Sequence, residues 1–452
     1  MPALTSTQAA AEAVVTAAEM RALEAAAVAA GDSEWQLMQR AGRLAADAIA
    51  SFAGPASTLV AVGPGNNGGD GYVIASVLAA RGWPVTVARL AEPASAAARI
   101  AAAGWTGETV ALADARPAKI FVDALFGTGL SRGLDPSASG GLTRLAADAA
   151  VRIAVDLPSG VATDSGMLLS PVVTADMTIT FGALKRAHVL YPAAALMGRV
   201  VVADIGIGRP GTSLFRVARP VLPALAKDTH KYRRGHVAVV AGAMPGAALL
   251  AARGAQRGGA GYVSVSGAAL PPGSLVMADR AHEADCVVVG PGLGHDETAR
   301  ALLLRTLANS GRTVVDADAI GLLAADLGLV AGTGRVLTPH DGEFARAFPD
   351  LAGDRIERAR AAAMRAGAVI VLKGPDTVVA APDGRTGVNT HASPRLATAG
   401  SGDVLAGMIA ALVARGLDAF DAACAAVWLH GDAALRGSDG MTAEDLVELV
   451  RL

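Results

Sequence analysis

Short runs of branched aliphatic residues alternate with longer alanine- and leucine-rich stretches along most of the chain. In the first half, Met20–Ala50 has the spacing of a helix, Thr58–Gly63 of a strand, Tyr72–Arg81 of a helix, and Val85–Arg89, Ile120–Leu125 and Arg152–Leu157 of further strands. These strands are apolar on consecutive positions, as in a parallel sheet covered on both faces by helices. Periodicity is lost between about Ser213 and Arg234, where Pro220, Pro223 and a charged run from Lys227 to Arg234 read as a linker. A second α/β series follows, with strands at His236–Val240, Cys286–Val289, Thr313–Val315, Arg335–Leu337 and Val369–Leu372. Two domains are therefore expected, residues 1–215 and 216–452, with no residue-level repeat between them.

Composition narrows the function classes. Of 452 residues, 52% are hydrophobic and 53 are glycine, and the net charge is −2, which suits a soluble α/β protein rich in strand-to-helix turns. No basic patch calls for nucleic acid. The two cysteines, Cys286 and Cys424, lack any disulfide or zinc spacing, so a reducing, cytoplasmic setting is expected. The alanine-rich start carries Glu12 and Glu19 and no positive cluster, unlike a signal peptide. The uncharged stretch from His236 to Ala252 is broken by Gly242, Pro245 and Gly246 and reads as strand, turn and helix, so no membrane span is expected. Only five lysines occur, and two of them, Lys185 and Lys373, fall in the motif-like segments FGALKRAH and VLKGPDT.

Two glycine-rich turns carry the chemistry. Gly400-Ser401-Gly402-Asp403 precedes an apolar helix and sets a carboxylate at a helix N-terminus, where backbone N–H groups and the helix dipole attract phosphate. A turn that merely starts a helix reads the same way. Gly63 to Gly71 contains Asn66, Asn67, Gly68, Gly69 and Asp70, either a nucleotide cradle or a helix entry with polar caps. Asp123 and Asp156 emerge at strand ends, where open parallel sheets collect ligands. Oxygen atoms of Asn67, Asp123 and Ser159 suit a hard cation rather than a transition metal. His340, in Thr338-Pro339-His340, reads equally as a structural hydrogen-bonder or as a substrate contact.

The segments GPGNNGGDGYVIA, VDALFGTGLSRG, VDLPSG and ITFGALK resemble the NAD(P)H-hydrate epimerase family over about residues 15–208. From about 229 to 452, KYRRGHVAVVAGAMPGAALL, VGPGLG, VVDADAI, LTPHDGEF, VLKGPDTVV and LATAGSGDVLAGMIAAL resemble the ADP- or ATP-dependent NAD(P)H-hydrate dehydratase family. Their fusion in this order resembles the bacterial bifunctional NAD(P)H-hydrate repair enzymes.

The resemblance implies a Rossmann-like three-layer αβα domain followed by a ribokinase-like α/β domain. It implies that the first epimerises R and S hydrates of NADH and NADPH, while the second dehydrates the S form at the expense of ADP or ATP. Implied hydrate contacts in the first domain are Asn66, Asn67, Gly68, Gly69, Asp70, then Gly127, Thr128, Gly129, Leu130, Ser131, Arg132 and Gly133, with Asp156 as contact and acid/base. Implied potassium ligands are Asn67, Asp123 and Ser159. In the second domain the implied hydrate contacts are Ala260, Gly292, Gly294, His340 and Asp403, Asp403 being the catalytic base. The implied nucleotide contacts are Lys373, Gly374, Pro375, Asp376, Thr377 and Gly402, with Mg2+ accompanying ADP or ATP. Both families imply a homo-oligomer. The chain departs from the epimerase pattern at Gln39-Arg40, where Glu-Asn is more usual, and from the dehydratase pattern at Asp341, where proline is usual.

Overall fold

In the computed structural model, which describes residues 12–267, 276–277, 283–324, 326–332 and 334–452, the chain separates into two compact units. Ala13–Thr212 forms one, and Ser213–Leu452 together with Glu12, expected in the first domain, forms the other. Residues 1–11 of the expected first domain lie outside the described residues.

In the first unit seven parallel strands form one sheet. From edge to edge these are Glu108–Ala111, Val85–Arg89, Thr58–Val62, Ile120–Ala124, Val151–Val155, Met177–Phe181 and Arg199–Ala203. The chain order reverses between Thr58–Val62 and Ile120–Ala124, which opens a crevice at their carboxyl ends. Alternate side chains serve opposite faces. Val60, Val62 and Val122 pack under helices that include Glu34–Phe52 and Asn66–Ala80, while Leu59, Ala61 and Phe121 pack against the face that buries Leu142 and Leu145 of Pro136–Ala146.

Two element boundaries differ from the sequence expectation. The helix expected over Met20–Ala50 is two helices, Ala17–Ala29 and Glu34–Phe52. Gly31 at φ 117 breaks the run, and Ser33 with Gln36 forms a capping box that restarts it. The helix expected at Tyr72 starts at Asn66, so the glycine-rich segment is itself the first helical turn.

The second unit carries strands Tyr262–Ser266, His236–Val240, Cys286–Val289, Arg312–Val315, Gly334–Leu337 and Val369–Leu372 in parallel, again reversing order at the second and third. Thr377–Ala380 and Thr386–Asn389 extend the sheet antiparallel. Leu214–Arg216, in the expected linker, instead pairs in parallel with Thr386–Asn389. One face of the sheet is covered by helices Pro245–Arg257, Ser401–Ala414, Ala419–Leu435 and Ala443–Leu449. Pro245–Arg257 and Ser401–Ala414 approach closely: a Cβ on Gly407 would lie 1.9 Å from the carbonyl oxygen of Ala251, and one on Gly254 2.3 Å from that of Val404. No helix among the described residues is long and apolar enough to cross a membrane.

Candidate active sites

In the first unit the crevice is built around Asp156, which directly follows the strand Val151–Val155. Its backbone takes φ 65, a left-handed conformation uncommon outside glycine. Several bonds hold it there. The carbonyl oxygen of Asp156 accepts from His188 Nε2 at 2.8 Å, and His188 Nδ1 accepts the N–H of Lys185 at 2.8 Å, which fixes the tautomer. Burial, with the Lys185 charge adding to it, pushes His188 down to about 4, so the ring is neutral. Carboxylate Oδ1 takes Lys185 Nζ at 2.7 Å and the Thr180 hydroxyl at 3.0 Å, and Oδ2 takes the N–H of Thr128 at 3.0 Å. Burial favours the neutral acid, but the adjacent ammonium of Lys185 outweighs it and holds Asp156 below the ordinary carboxylate range.

Oδ2 of Asp156 borders the open space over Gly127. A Cβ on Gly127 would lie 2.5 Å from that oxygen and 3.2 Å from Asn67 Oδ1. Both polar atoms of the Asn67 amide are buried without a hydrogen-bond partner, an arrangement that points to a ligand or ion. Asp123 and Ser159 meet beneath this floor, Ser159 donating from Oγ at 2.7 Å and from its N–H at 2.9 Å. Burial raises Asp123 and these bonds only partly offset it. Asp70 is raised well above its ordinary value by burial, then by the charges of Asp156 and Glu24.

The other expected residues divide. Asn66 accepts from Ser95 Oγ at 2.5 Å, so part of its side chain is engaged. Gly127 is buried and Thr128 half-buried, whereas Gly129, Ser131, Arg132 and Gly133 are exposed. Arg40, at the departure from the epimerase pattern, pairs with Asp32 at 2.6 Å. Lys185, Thr180 and His188 were missing from the expected site. The scarcity of lysine did mark Lys185, and His188 lies three residues beyond it.

In the second unit the ends of Arg312–Val315 and Val369–Leu372 bring Asp316 and Lys373 together, Nζ to Oδ1 at 2.8 Å, with Glu343 Oε2 at 3.8 Å. Burial lowers Lys373, but Asp316 and Glu343 outweigh it and raise the net value. The glycine turn at the start of Ser401–Ala414 faces this pair, since a Cβ on Gly402 would lie 3.3 Å from Lys373 Nζ and 3.9 Å from Asp316 Oδ2. Asp403 follows in the first helical turn. Burial, reinforced by Asp316, pushes it up to about 7 against the pull of Lys373. Ala317, at φ 48, lies between Asp316 and Asp318. Asp318 accepts from the N–H of Gly294 at 2.9 Å, and Met244 donates its N–H to Gly292 O at 2.9 Å, which holds the Gly290–Gly294 turn at the site.

One expected contact lies away from the second site, and two others at it make structural bonds. Ala260 precedes Tyr262–Ser266 and follows the C-terminal end of Pro245–Arg257, so it lies at the opposite end of the sheet from Asp403. The turn at Met244–Pro245, next to Gly292, occupies the corresponding place at the site. His340 Nδ1 accepts from the N–H groups of Gly342 at 2.9 Å and Glu343 at 3.3 Å, capping Asp341–Ala347. Its ring is 55% exposed, with Nε2 3.4 Å from Glu343 Oε1. Asp376 is buried beneath its turn and paired with Arg355 at 2.9 Å, so it supports the Lys373–Thr377 segment from below. Among the described residues no group of three or more His, Cys, Asp or Glu side chains forms a metal site.

The family described as NAD(P)H-hydrate dehydratase matches residues 237–450, and the YjeF-related protein N-terminus matches 34–187. A bifunctional NAD(P)H-hydrate repair enzyme from Gloeobacter violaceus is 38% identical, covering 93% of this chain and 92% of its own length. One from Salinibacter ruber is 34% identical over 97% and 95%. Among solved structures, the ADP/ATP-dependent NAD(P)H-hydrate dehydratase of Bacillus subtilis, co-crystallised with ATP and Mg2+, is 31% identical and covers 50% of this chain and 91% of its own, with a TM-score of 0.43. With its two matched halves in this order and relatives aligned along nearly its whole length, the chain belongs to the bifunctional NAD(P)H-hydrate repair enzymes.

Proposed function

We propose that residues 1–215 interconvert the R and S hydrates of NADH and NADPH, and that residues 216–452 return the S form to the reduced dinucleotide by phosphorylating its ring hydroxyl. Water adds to the enamine carbon beside the ring nitrogen, so the hydrate is a carbinolamine whose C–N bond can open and reclose on either face. Epimerisation needs a base for the hydroxyl proton and an acid for the nitrogen side. Asp156, held below the carboxylate range by Lys185, and Asp70, raised by burial, suit those two roles. The exposed part of the 127–133 loop is assigned to the rest of the dinucleotide.

In the second site Asp403 takes the hydroxyl proton as the oxygen attacks the terminal phosphoryl group and its bond to the rest of the nucleotide breaks, releasing AMP from ADP or ADP from ATP, with Lys373 and the helix N-terminus stabilising the added charge. Phosphate is a far better leaving group than hydroxide. The ring nitrogen expels it, and loss of the neighbouring C–H proton restores the double bond. The observation that carries this reading is Asp403 at about 7, close to the pH at which a base must both accept and release a proton.

The unpaired, buried amide oxygen of Asn67 fits a potassium ligand, with Asp123 and Ser159 supplying the remaining side-chain oxygens. Potassium there would add positive charge beside the bound hydrate. Asp316 and Asp403 offer too few ligands to close a magnesium site alone, which fits Mg2+ arriving on the nucleotide phosphates and neutralising them. Two buried free thiols, Cys286 and Cys424, accord with a reducing, cytoplasmic setting.

The test supplies mixed R and S NADH hydrate, Mg2+, K+ and either ADP or ATP, and follows recovery of reduced-nicotinamide absorbance. Full recovery is expected from the intact chain, recovery limited to the S fraction plus spontaneous epimerisation from Asp156→Ala, and none from Asp403→Ala. Nucleotide consumed only with some other hydroxyl compound would instead make the second unit a small-molecule kinase.

A further inference from the structure

The cleft that holds Ala260 has a chemistry of its own. It encloses about 490 Å3 at the end of the second unit opposite Lys373 and Asp403, where Pro245–Arg257 finishes and Tyr262–Ser266 begins. Arg234, Arg253 and Arg257 line it, and Glu448 is the one carboxylate among its lining residues. Glu448 is shared by Arg253, at 2.8 Å, and Arg257. Two further cations crowd the same place. Arg415 donates to Gly258 O at 3.4 Å, next to Arg234 donating to Gly259 O at 3.2 Å, and Lys231 lies 5.6 Å over the Tyr262 ring.

The lining residues hold three cations and one carboxylate, and Arg415 and Lys231 beside them add two more cations, in a chain whose net charge is −2. Like charges are held together here by structure. Gly259, at φ 93, has no Cβ to block the Arg415 guanidinium, which would stand 2.8 Å from one. Burial first, and then the charge of neighbouring Arg234, lowers the Arg415 value. Arg234 Nε is buried without a hydrogen-bond partner. Such crowding is costly unless an anion relieves it, and forked guanidinium groups match phosphate oxygens bidentately.

We propose that this cleft is a second anion-binding site, for a ligand carrying two or three linked phosphates. A single phosphate would leave much of the positive surplus unmatched, whereas a diphosphate or triphosphate brings roughly three or four negative charges. The ligand is either a nucleotide, with its base against the Tyr262 and Tyr232 rings 5.9 Å apart, or an inorganic polyphosphate. This does not rest on the chemistry assigned to Asp403.

Hydrogen exchange of the full-length chain, with inorganic tripolyphosphate and separately with ADP as probes, reads the two ends of the unit independently. Protection is expected in the peptides covering 254–262 and 445–450, saturating below about 1 mM and weakening as salt rises. Arg234→Gln with Arg257→Gln should raise the half-saturating concentration there about ten-fold or more, while protection of 398–406 and both catalytic rates are retained. Arg234→Lys with Arg257→Lys should fall between. Tighter binding of ADP would identify a nucleotide, and tighter binding of tripolyphosphate an inorganic chain. No protection of 254–262 up to about 10 mM probe, equal protection in the double Gln variant, or equal protection by sulfate would overturn the proposal.

Discussion

The two central aspartates have opposite settings. Asp156 is saturated with partners: an ammonium, a hydroxyl and a backbone N–H on its carboxylate, and a neutral imidazole on its carbonyl. Asp403 has no hydrogen bond or ion pair to its carboxylate among the described residues, and lies among Asp316, Asp318 and Glu343 with Lys373 as counterweight. One is kept charged by a neighbour, the other pushed towards neutrality by burial and like charge. In the proposed roles this contrast suits two reactions, since a reversible shuttle needs a base already charged and fixed in aim, while a phosphoryl acceptor site needs a carboxylate that can share a proton near neutrality.

The largest test of this contrast is removal of either carboxylate. Asp403→Asn is expected to lower the rate of S-hydrate dehydration by about 10²–10⁴-fold with R-to-S conversion unchanged, and Asp156→Asn to do the reverse, each read by chromatography of the two epimers beside nucleotide consumption. Next is Lys185→Met, which strands a buried charge. The first unit should lose on the order of 3–5 kcal/mol in denaturant unfolding, and epimerisation should fail while dehydration continues. Equal loss of both activities would show that the pair is needed for folding of the whole chain.

Titration separates the sites more finely. The dehydration rate should rise with pH through about 7 as Asp403 loses its proton, whereas epimerisation should not fall between pH 8 and pH 5, because Asp156 remains ionised and His188, at about 4, remains neutral. The stability sign follows from the raised Asp403 value. The folded state binds a proton more tightly than the unfolded one, so this contribution is present below the unfolded pKa and is lost as pH rises through about 7. At pH 8 Asp403→Asn is therefore expected to stabilise the second unit by on the order of 2 kcal/mol, and at pH 4 hardly at all. The smallest effect belongs to Ala317. Ala317→Gly relaxes its left-handed backbone and should change thermal stability by less than about 1 kcal/mol, while Ala317→Val should lower it.

Much of this was legible in the chain. Consecutive apolar runs announced both parallel sheets, and the glycine turns marked where their carboxyl ends open. What escaped has physical reasons. Asn66 to Asp70 looked like a loop because glycine and asparagine are poor helix interiors, yet at a helix entry they cost little. Lys185 and His188 reach Asp156 from beyond the next strand, Met177–Phe181, and no spacing rule links residues 29 and 32 positions apart. Asp316 was visible inside VVDADAI, but its hold on Lys373 depends on strand order. Ala260 was misplaced because thirteen helical residues separate the two ends of Pro245–Arg257, so a small shift in motif register moves a contact across the whole unit.

The close pairing of Pro245–Arg257 with Ser401–Ala414 has a mechanical consequence. With backbone rather than side chains at the contact, the two helices have almost no freedom to slide or tilt independently, so the turn holding Gly402 and the turn beside Gly292 are rigidly yoked. A broader or narrower choice of nucleotide would then have to be engineered in the loops at the strand ends. A single methyl at Gly407 would wedge the yoke apart and shift the whole phosphate turn, far from any atom that meets substrate.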